Sequence, residues 1–211
     1  MDISYLVIEG NIGAGKTSFA HKISAELNAK LILEQFAENP FLPKFYKEPE
    51  KYSFQLELSF LAERYYQLNN ELTSRDLFKS ITVADYYFMK SLIFAKTTLK
   101  DDEYNLYRSI FDIIYNSIPK PDLYVYLHQD IPRLKQNIKK RGRDYEQAIS
   151  DEYLEKLQDG YFDFFKKQED IPFLIIDINK LDFVENQSDY EKIKQVIFSE
   201  KYSKGIHRQI I

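Results

Sequence analysis

Two groups of residues in this sequence could act together on a phosphate: a glycine loop ending in lysine and threonine, and two carboxylates that each close a short apolar run. The loop is Gly10-Asn11-Ile12-Gly13-Ala14-Gly15-Lys16-Thr17, followed by Ser18, and it fits G-x-x-x-x-G-K-[ST]. Its glycines let backbone N–H groups point inward around phosphates, and the helix that follows adds about half a positive charge at its N-terminus. Lys16 then reaches the terminal phosphates, and the Thr17 hydroxyl is a ligand for Mg²⁺. The pattern carries this meaning only between a strand and a helix. Both are present: Ile3-Ser4-Tyr5-Leu6-Val7-Ile8-Glu9 reads as a buried strand, and Phe19, Ala20, Ile23 and Leu27 recur at helical spacing behind it. The expected ligand is a nucleoside triphosphate.

The carboxylates are Glu34, after Leu31-Ile32-Leu33, and Asp85, after Ser80-Ile81-Thr82-Val83-Ala84. Ligands of open parallel sheets bind beyond the carboxyl ends of the strands, so both acids belong on the rim that carries the glycine loop. Transfer of a γ-phosphoryl group needs positioning, a metal, cations for the migrating charge and a group that takes the acceptor's proton. One of the two carboxylates suits the base and the other the metal shell. Arg141 and Arg143 flank Gly142 at the end of a basic run and read as a lid, about residues 139–149, that closes cations over the phosphates.

The elements that must hold these groups follow from periodicity. Residues 52–72 read as a long helix with Phe54, Leu58, Leu61, Tyr65 and Leu68 as its apolar stripe, and with Glu57 and Arg64 a heptad apart on one face. Helical patterns run to Ala95 and over 103–118, before Pro119-Lys120-Pro121, then again after Pro132, over 151–168 and over 188–199. Residues 122–128 alternate apolar and polar like a strand, and 173–177 make a fifth strand. Alternating strands and helices predict a P-loop NTPase-like three-layer α/β sandwich, with a five-stranded parallel sheet between helices on both faces. A single domain over 1–211 is expected, with no repeat or linker. Residues 35–51, interrupted by Pro40, Pro43 and Pro49, read as irregular, and the lysine-rich tail beyond Glu200 as a frayed end.

Composition narrows the partners. With 211 residues and a net charge of −4, nothing electrostatic favours nucleic acid, and a small Mg²⁺-bound anion is the easier ligand. The absence of cysteine excludes disulfides, thiolate metal sites and a thiol nucleophile. No apolar run is long enough to span a bilayer, and because the chain enters a core strand at once, no signal peptide is expected. A cytoplasmic setting is expected. His21 and His128 stand alone without metal-ligand spacing and read as structural.

Over nearly its whole length the chain resembles the deoxyribonucleoside kinase family, most of all its bacterial deoxyguanosine/deoxyadenosine kinases. The resemblance rests on GNIGAGKTS at Gly10 to Ser18, on Glu34 with Glu38-Asn39-Pro40-Phe41, and on Tyr52-Ser53-Phe54-Gln55-Leu56-Glu57. It continues through Val83-Ala84-Asp85-Tyr86, Ile93-Phe94-Ala95, Lys140-Arg141-Gly142-Arg143 and Tyr153-Leu154-Glu155. It implies ATP as phosphate donor, Mg²⁺, and a homodimer. It further implies that Glu34 deprotonates the nucleoside 5′-hydroxyl and that Asp85 works with Thr17 around Mg²⁺. By the same resemblance Arg141 and Arg143 are the lid arginines, Tyr46 and Glu146 hold the sugar 3′-hydroxyl, and Asp182-Phe183 lies against the adenine of ATP.

Two departures from the family pattern bear on mechanism. An arginine commonly follows the acidic residue, but Tyr86 follows Asp85 here; Lys90, about one helical turn on, is the expected replacement. Where relatives carry a base-pairing glutamine, this chain has Glu57. An ionised carboxylate only accepts, and guanine offers two adjacent donors, N1–H and the 2-amino group, whereas adenine presents an acceptor at N1. Arg64 on the same face is expected to donate to guanine O6 or N7, the contact arginine makes in DNA. Together these favour deoxyguanosine over deoxyadenosine; the plain alternative is a surface ion pair between Glu57 and Arg64. Tyr86 is expected to bring its ring to the base, although the run Tyr86-Tyr87-Phe88 is mostly core. Phe111 and Tyr115 are expected in the same pocket or at a dimer seam.

Other activities remain in view. A broader deoxynucleoside kinase differs only in its base pocket. A nucleoside monophosphate kinase would want cations around the acceptor's phosphate, where the segment after Glu34 offers Glu38, Pro40, Phe41 and Tyr46. Asn179-Lys180-Leu181-Asp182 spells the N-K-x-D of GTPases, but none of the six glycines completes a D-x-x-G.

Overall fold

A computed structural model describes residues 3–35, 39–74 and 78–211; Glu38, part of the family pattern above, lies outside them. The strands are β1 (Tyr5–Gly10), β2 (Lys30–Ile32), β3 (Thr82–Ala84), β4 (Leu123–His128), β5 (Pro172–Asp177) and β6 (Gly205–Ile210). They form one sheet in the order β2-β3-β1-β4-β5-β6, and each neighbouring pair is parallel. Because β1 runs beside β3 and β4, the direction of winding reverses there, and a crevice opens at its carboxyl end.

The central strands are buried on both faces, as a parallel sheet covered by helices requires. In β4 the expected alternation of apolar and polar is an alternation of two cores: Leu123, Val125 and Leu127 enter one, and Tyr124 and Tyr126 the other, all fully or nearly buried. Among the described residues the helices are α1 (Lys16–Glu26), α2 (Leu42–Lys47), α3 (Pro49–Thr73), α4 (Lys90–Thr98), α5 (Asp101–Tyr115), α6 (Ile131–Arg141), α7 (Asp151–Phe165) and α8 (Gln187–Ser199). Phe19 and Ile23 of α1, Leu134 and Ile138 of α6, and Ile193 and Ile197 of α8 close the first core. Leu61 and Leu68 of α3, Ile93 of α4, Phe111 of α5, and Tyr161 and Phe165 of α7 close the second. No described helix is long and apolar enough to cross a membrane.

The sheet differs from expectation at its edge. The tail is not frayed: β6 pairs with β5 from Pro172↔Gly205 to Asp177↔Ile210, so the described residues form six strands rather than five. Only one face of an edge strand is covered, and residues 205–210 alternate between half-buried and exposed, a period that its short length and polar residues conceal. Residues 39–51 are also less irregular than expected. Pro43 and Pro49 do not interrupt helices but open them, each in a first turn where the missing N–H costs nothing.

Candidate active site

The glycine loop joins β1 to α1 as its sequence requires. Gly15 takes φ 84°, and a β-carbon there would sit 2.7 Å from Cζ of Phe183, so only glycine fits. Lys16 Nζ donates to the Asn11 carbonyl at 2.9 Å, which folds the loop over itself. Burial, reinforced by repulsion from Lys90, lowers the Lys16 ammonium to about 8. Two contacts that periodicity did not foretell hold the loop from outside. Asn137 of α6 donates to the Gly13 carbonyl at 2.9 Å, and Asn11 donates to the Leu154 carbonyl at 2.8 Å.

On one side of the loop a cleft runs between Gly13–Ser18, α6 and the 181–185 segment, and Arg133, Lys140, Arg141 and Arg143 add positive charge to it. Lys22 fastens that segment by donating to the Phe183 and Val184 carbonyls at 2.8 and 2.9 Å. Asp182 and Phe183 line this cleft, with the Phe183 ring packed edge-on to Phe19. Asn179, the first residue of the N-K-x-D match, instead accepts from the Asp130 backbone at 2.8 Å and ties β5 to the start of α6.

A second cleft opens on the other side and shares Lys16, Thr17, Arg141 and Arg143 with the first. Asp85, just past β3, sits where the two meet. Its Oδ2 accepts from the Thr17 hydroxyl at 2.6 Å, and its Oδ1 accepts from the Glu34 backbone N–H at 2.8 Å. A single carboxylate thus sets the spacing between the phosphate loop and Glu34. Thr17 and Asp85 are hard oxygen donors beside a phosphate cradle, a set that suits Mg²⁺, which takes one or two protein ligands and completes its shell with phosphate and water. Among the described residues no group of three or more His, Cys, Asp or Glu forms a metal cage by itself.

Glu34 is the most heavily partnered acid in the cleft. Its Oε1 accepts from Arg64 Nε and Nη2 at 2.9 and 2.7 Å, and its Oε2 from Lys90 Nζ at 2.5 Å. Burial alone would raise its carboxyl, but Lys90 and Arg64 outweigh that and hold it at about 2. Lys90, the expected replacement cation, thus lies against Glu34. Arg64 corrects an expectation: its guanidinium does not point to a nucleobase but is committed to Glu34 and, through Nη1, to the Ser91 hydroxyl at 2.9 Å. A planar fork matches a carboxylate in two bonds, and helix pitch alone does not tell which carboxylate it meets.

Glu57 makes no ion pair with Arg64 either. Its Oε1 accepts from the Thr98 hydroxyl at 2.9 Å, while its Oε2 is buried without a hydrogen-bond partner. Burial pushes its carboxyl up to about 7. The cleft around it is lined by Leu42, Phe45, Leu56, Phe60, Phe94 and Tyr153, none of them singled out beforehand as pocket walls. They come from four separate helices, and only the packing of α2 and α7 on α3 and α4 assembles them. Tyr46 and Glu146 line the same cleft, and Tyr46 stacks on Tyr145 with ring centroids 5.8 Å apart.

Tyr86, expected at the base, and Phe111, expected in the pocket or at a dimer seam, are core residues instead. Tyr86 is fully buried and donates to Gln67 Oε1 at 2.7 Å; Phe111 is sandwiched between Phe88 and Tyr115, with centroids 5.0 and 5.3 Å away. The second core, on the α5 side of the sheet, is filled largely by aromatic rings, so an aromatic run in the sequence marks packing as readily as a pocket.

Within residues 139–149, expected to form a lid, Gly142 ends α6 with a φ of 72°, and a 3₁₀ turn follows over Asp144–Glu146. Glu146, nearly buried, binds Arg141 Nη2 and, at 3.1 Å, Arg143 Nη1, which holds both guanidinium groups at the junction of the clefts.

Comparison with known proteins places this geometry among enzymes. The family model of deoxynucleoside kinases matches residues 6–201. Deoxyguanosine kinase of Bacillus subtilis (strain 168) is 37% identical, over 90% of this chain and 93% of its own length. Deoxyadenosine kinase of Dictyostelium discoideum is 32% identical, over 98% of this chain and 83% of its own. Among solved structures, deoxyadenosine kinase from M. mycoides with bound dATP is similar at a TM-score of 0.78 and 27% identity, covering 92% of this chain and 98% of that one. The same enzyme with bound dCTP gives 0.79 and 28%, over 93% and 100%.

Proposed function

The chain belongs to the deoxynucleoside kinase family, and within it we propose that it uses ATP to phosphorylate the 5′-hydroxyl of a purine deoxyribonucleoside, deoxyguanosine ahead of deoxyadenosine, for nucleotide salvage. The observation that carries this reading is Asp85, hydrogen-bonded at once to Thr17 on the phosphate side and to the Glu34 backbone on the acceptor side. That link puts a carboxylate and a phosphate loop into one reaction space. ATP takes the cleft of the glycine loop, α6 and Asp182-Phe183. The nucleoside takes the cleft of Glu34, Tyr46, Glu57 and Glu146, with Tyr46 and Glu146 at the sugar 3′-hydroxyl. Thr17 and Asp85 would hold Mg²⁺, which would supply neutralisation of charge on the phosphates.

Glu34 accepts the hydrogen bond of the 5′-hydroxyl and takes its proton as the new O–P bond forms. A carboxylate held at about 2 is a weak base, but a loose transition state asks little of it until late. Lys90 and Arg64 fix its direction, and Arg141 and Arg143 follow the migrating charge as the lid over residues 139–149 closes. Both cations beside Glu34 are engaged by it, which argues against an acceptor that brings its own phosphate and hence against a monophosphate kinase. A homodimer and a cytoplasmic location accompany the reading; Leu106 and Ile113, exposed on α5, are apolar side chains that a second copy would cover.

The test supplies ATP–Mg²⁺ with deoxynucleosides, with deoxynucleoside monophosphates, and GTP alone. Product is expected only from deoxynucleosides, purines first. Glu34→Gln is expected to lower kcat by about 10²–10⁴-fold, and turnover near the wild-type rate would remove Glu34 from the chemistry.

A further inference from the structure

The end of the acceptor cleft holds an unusual pair of atoms. Glu57 lines the cleft and is 2% exposed; its Oε1 is met by Thr98, and its Oε2 is buried with no hydrogen-bond partner in the protein. A buried acceptor left unpaired is costly and calls for a ligand to complete it. Thr98 does not fix the charge of that acid. Its hydroxyl also lies 3.0 Å from the Phe94 carbonyl, so its proton keeps an acceptor if Glu57 becomes neutral.

We propose that Glu57 selects between the two purines by its own proton: the carboxylate takes guanine, and the carboxylic acid takes adenine. This rests on the assignment of Glu57 to the nucleobase end of the cleft. The ionised group is acceptor-only and complements the paired donors of guanine, N1–H and the 2-amino group. Against adenine it sets lone pairs facing the lone pair of N1. The neutral group has one O–H donor and one acceptor oxygen, which complement N1 and the 6-amino group of adenine. Against guanine that added O–H meets N–H. One side chain therefore offers two recognition patterns, and a single proton converts one into the other.

The surroundings permit both states near neutrality. Burial raises the Glu57 carboxyl to about 7; Arg64 on the same helix, Thr98 and Lys90 on α4 favour the ion, and Glu34 beyond β2 opposes it. Tyr46 of α2, Tyr107 of α5 and Tyr153 of α7 also face it, and burial pushes each phenol upward, so they stay neutral. Glu34 remains ionised, held at about 2. Lys16, lowered to about 8, does titrate nearby, but it acts on the phosphates and affects both nucleosides equally.

The experiment is internal competition. Deoxyguanosine and deoxyadenosine are supplied together with ATP–Mg²⁺ between about pH 5.5 and 8.5, and the product ratio gives the ratio of their kcat/KM values in the free enzyme. Effects on the shared chemistry cancel. The wild-type ratio is expected to shift toward deoxyguanosine with rising pH, approaching about tenfold per pH unit because one proton separates the two forms. In Glu57→Gln the ratio is expected to be flat with pH. In Thr98→Val, which removes a donor to the ion, the whole profile is expected to move to higher pH. A flat wild-type ratio, or the same slope in Glu57→Gln, overturns the proposal while leaving a purine kinase intact. If neither purine is phosphorylated at any pH, the proposed function itself falls, and this inference with it.

Discussion

On the donor side of Lys16 the site is made of consecutive backbone: residues 10–18 and the helix N-terminus behind them, with side chains of α6 as outer support. On the acceptor side almost nothing is consecutive. Glu34 follows β2, Glu57 and Arg64 lie on α3, Lys90 and Thr98 on α4, Tyr46 on α2, and Glu146 on the 3₁₀ turn. On the proposed reading the first region recognises phosphates, which every substrate pair shares, and N–H groups of a fixed loop suffice. The second must tell nucleosides apart, which requires buried side chains aimed from several directions. Damage to the two regions should therefore look different: uniform loss on one side, redistribution among nucleosides or loss confined to kcat on the other.

Lys16→Met is the broadest test of that contrast. It is expected to lower kcat/KM by about 10²–10³-fold, as loss of one electrostatic stabiliser does, and by the same factor for deoxyguanosine and deoxyadenosine in steady-state assays. A factor that depends on the nucleoside would break the separation of the two clefts. Lys90→Met comes next. It leaves Glu34 to Arg64 alone, and kcat is expected to fall by about 10–100-fold with the nucleoside KM little changed. A kcat within a few-fold of wild type would mean that Lys90 does not replace the family arginine.

Glu57→Gln sharpens the acceptor side through stability rather than rate. The carboxyl of Glu57 rises from an ordinary 4.5 to about 7 on folding, so the folded chain binds this proton more tightly than the unfolded one. Its contribution to stability is full below about 4.5 and is lost as pH rises through about 7. The Tm advantage of Glu57→Gln over wild type, read by thermal unfolding without nucleoside, is thus expected to grow by a few degrees across that window. A constant difference would show that burial does not perturb the group. The smallest effect belongs to Tyr86→Phe, which removes a hydrogen bond to Gln67 worth about 1 kcal/mol. Stability should drop slightly, and kinetics with either purine should stay unchanged.

Legibility in the sequence followed the same division. The glycine loop, the strand before it and the helix after it were readable because a short motif with local geometry specifies itself. Glu34 and Asp85 were readable because strand ends in a parallel sheet are a place as well as a position in the chain. The sixth strand was not, since an edge strand has one covered face and too short a period to stand out. Tyr86 was assigned to the nucleoside on residue type, Arg64 on sharing a helix face with Glu57, and Phe111, one turn from Tyr115, to the same pocket or a dimer seam. The fold puts the two rings into the aromatic core and gives the guanidinium to Glu34.

Taken alone, the sequence determined the fold class, the glycine loop between its strand and helix, and the pair of acids that share its rim, since each depends on contacts within one strand–loop–helix unit or on a rule of sheet topology. Tertiary structure alone decided which cations hold Glu34, which aromatic rings face the cleft, and that one oxygen of Glu57 is buried there unpaired. Those outcomes depend on which helices pack together and at what rotation. A carboxylate on a helix carries no mark of its future neighbours, and its charge state follows from them.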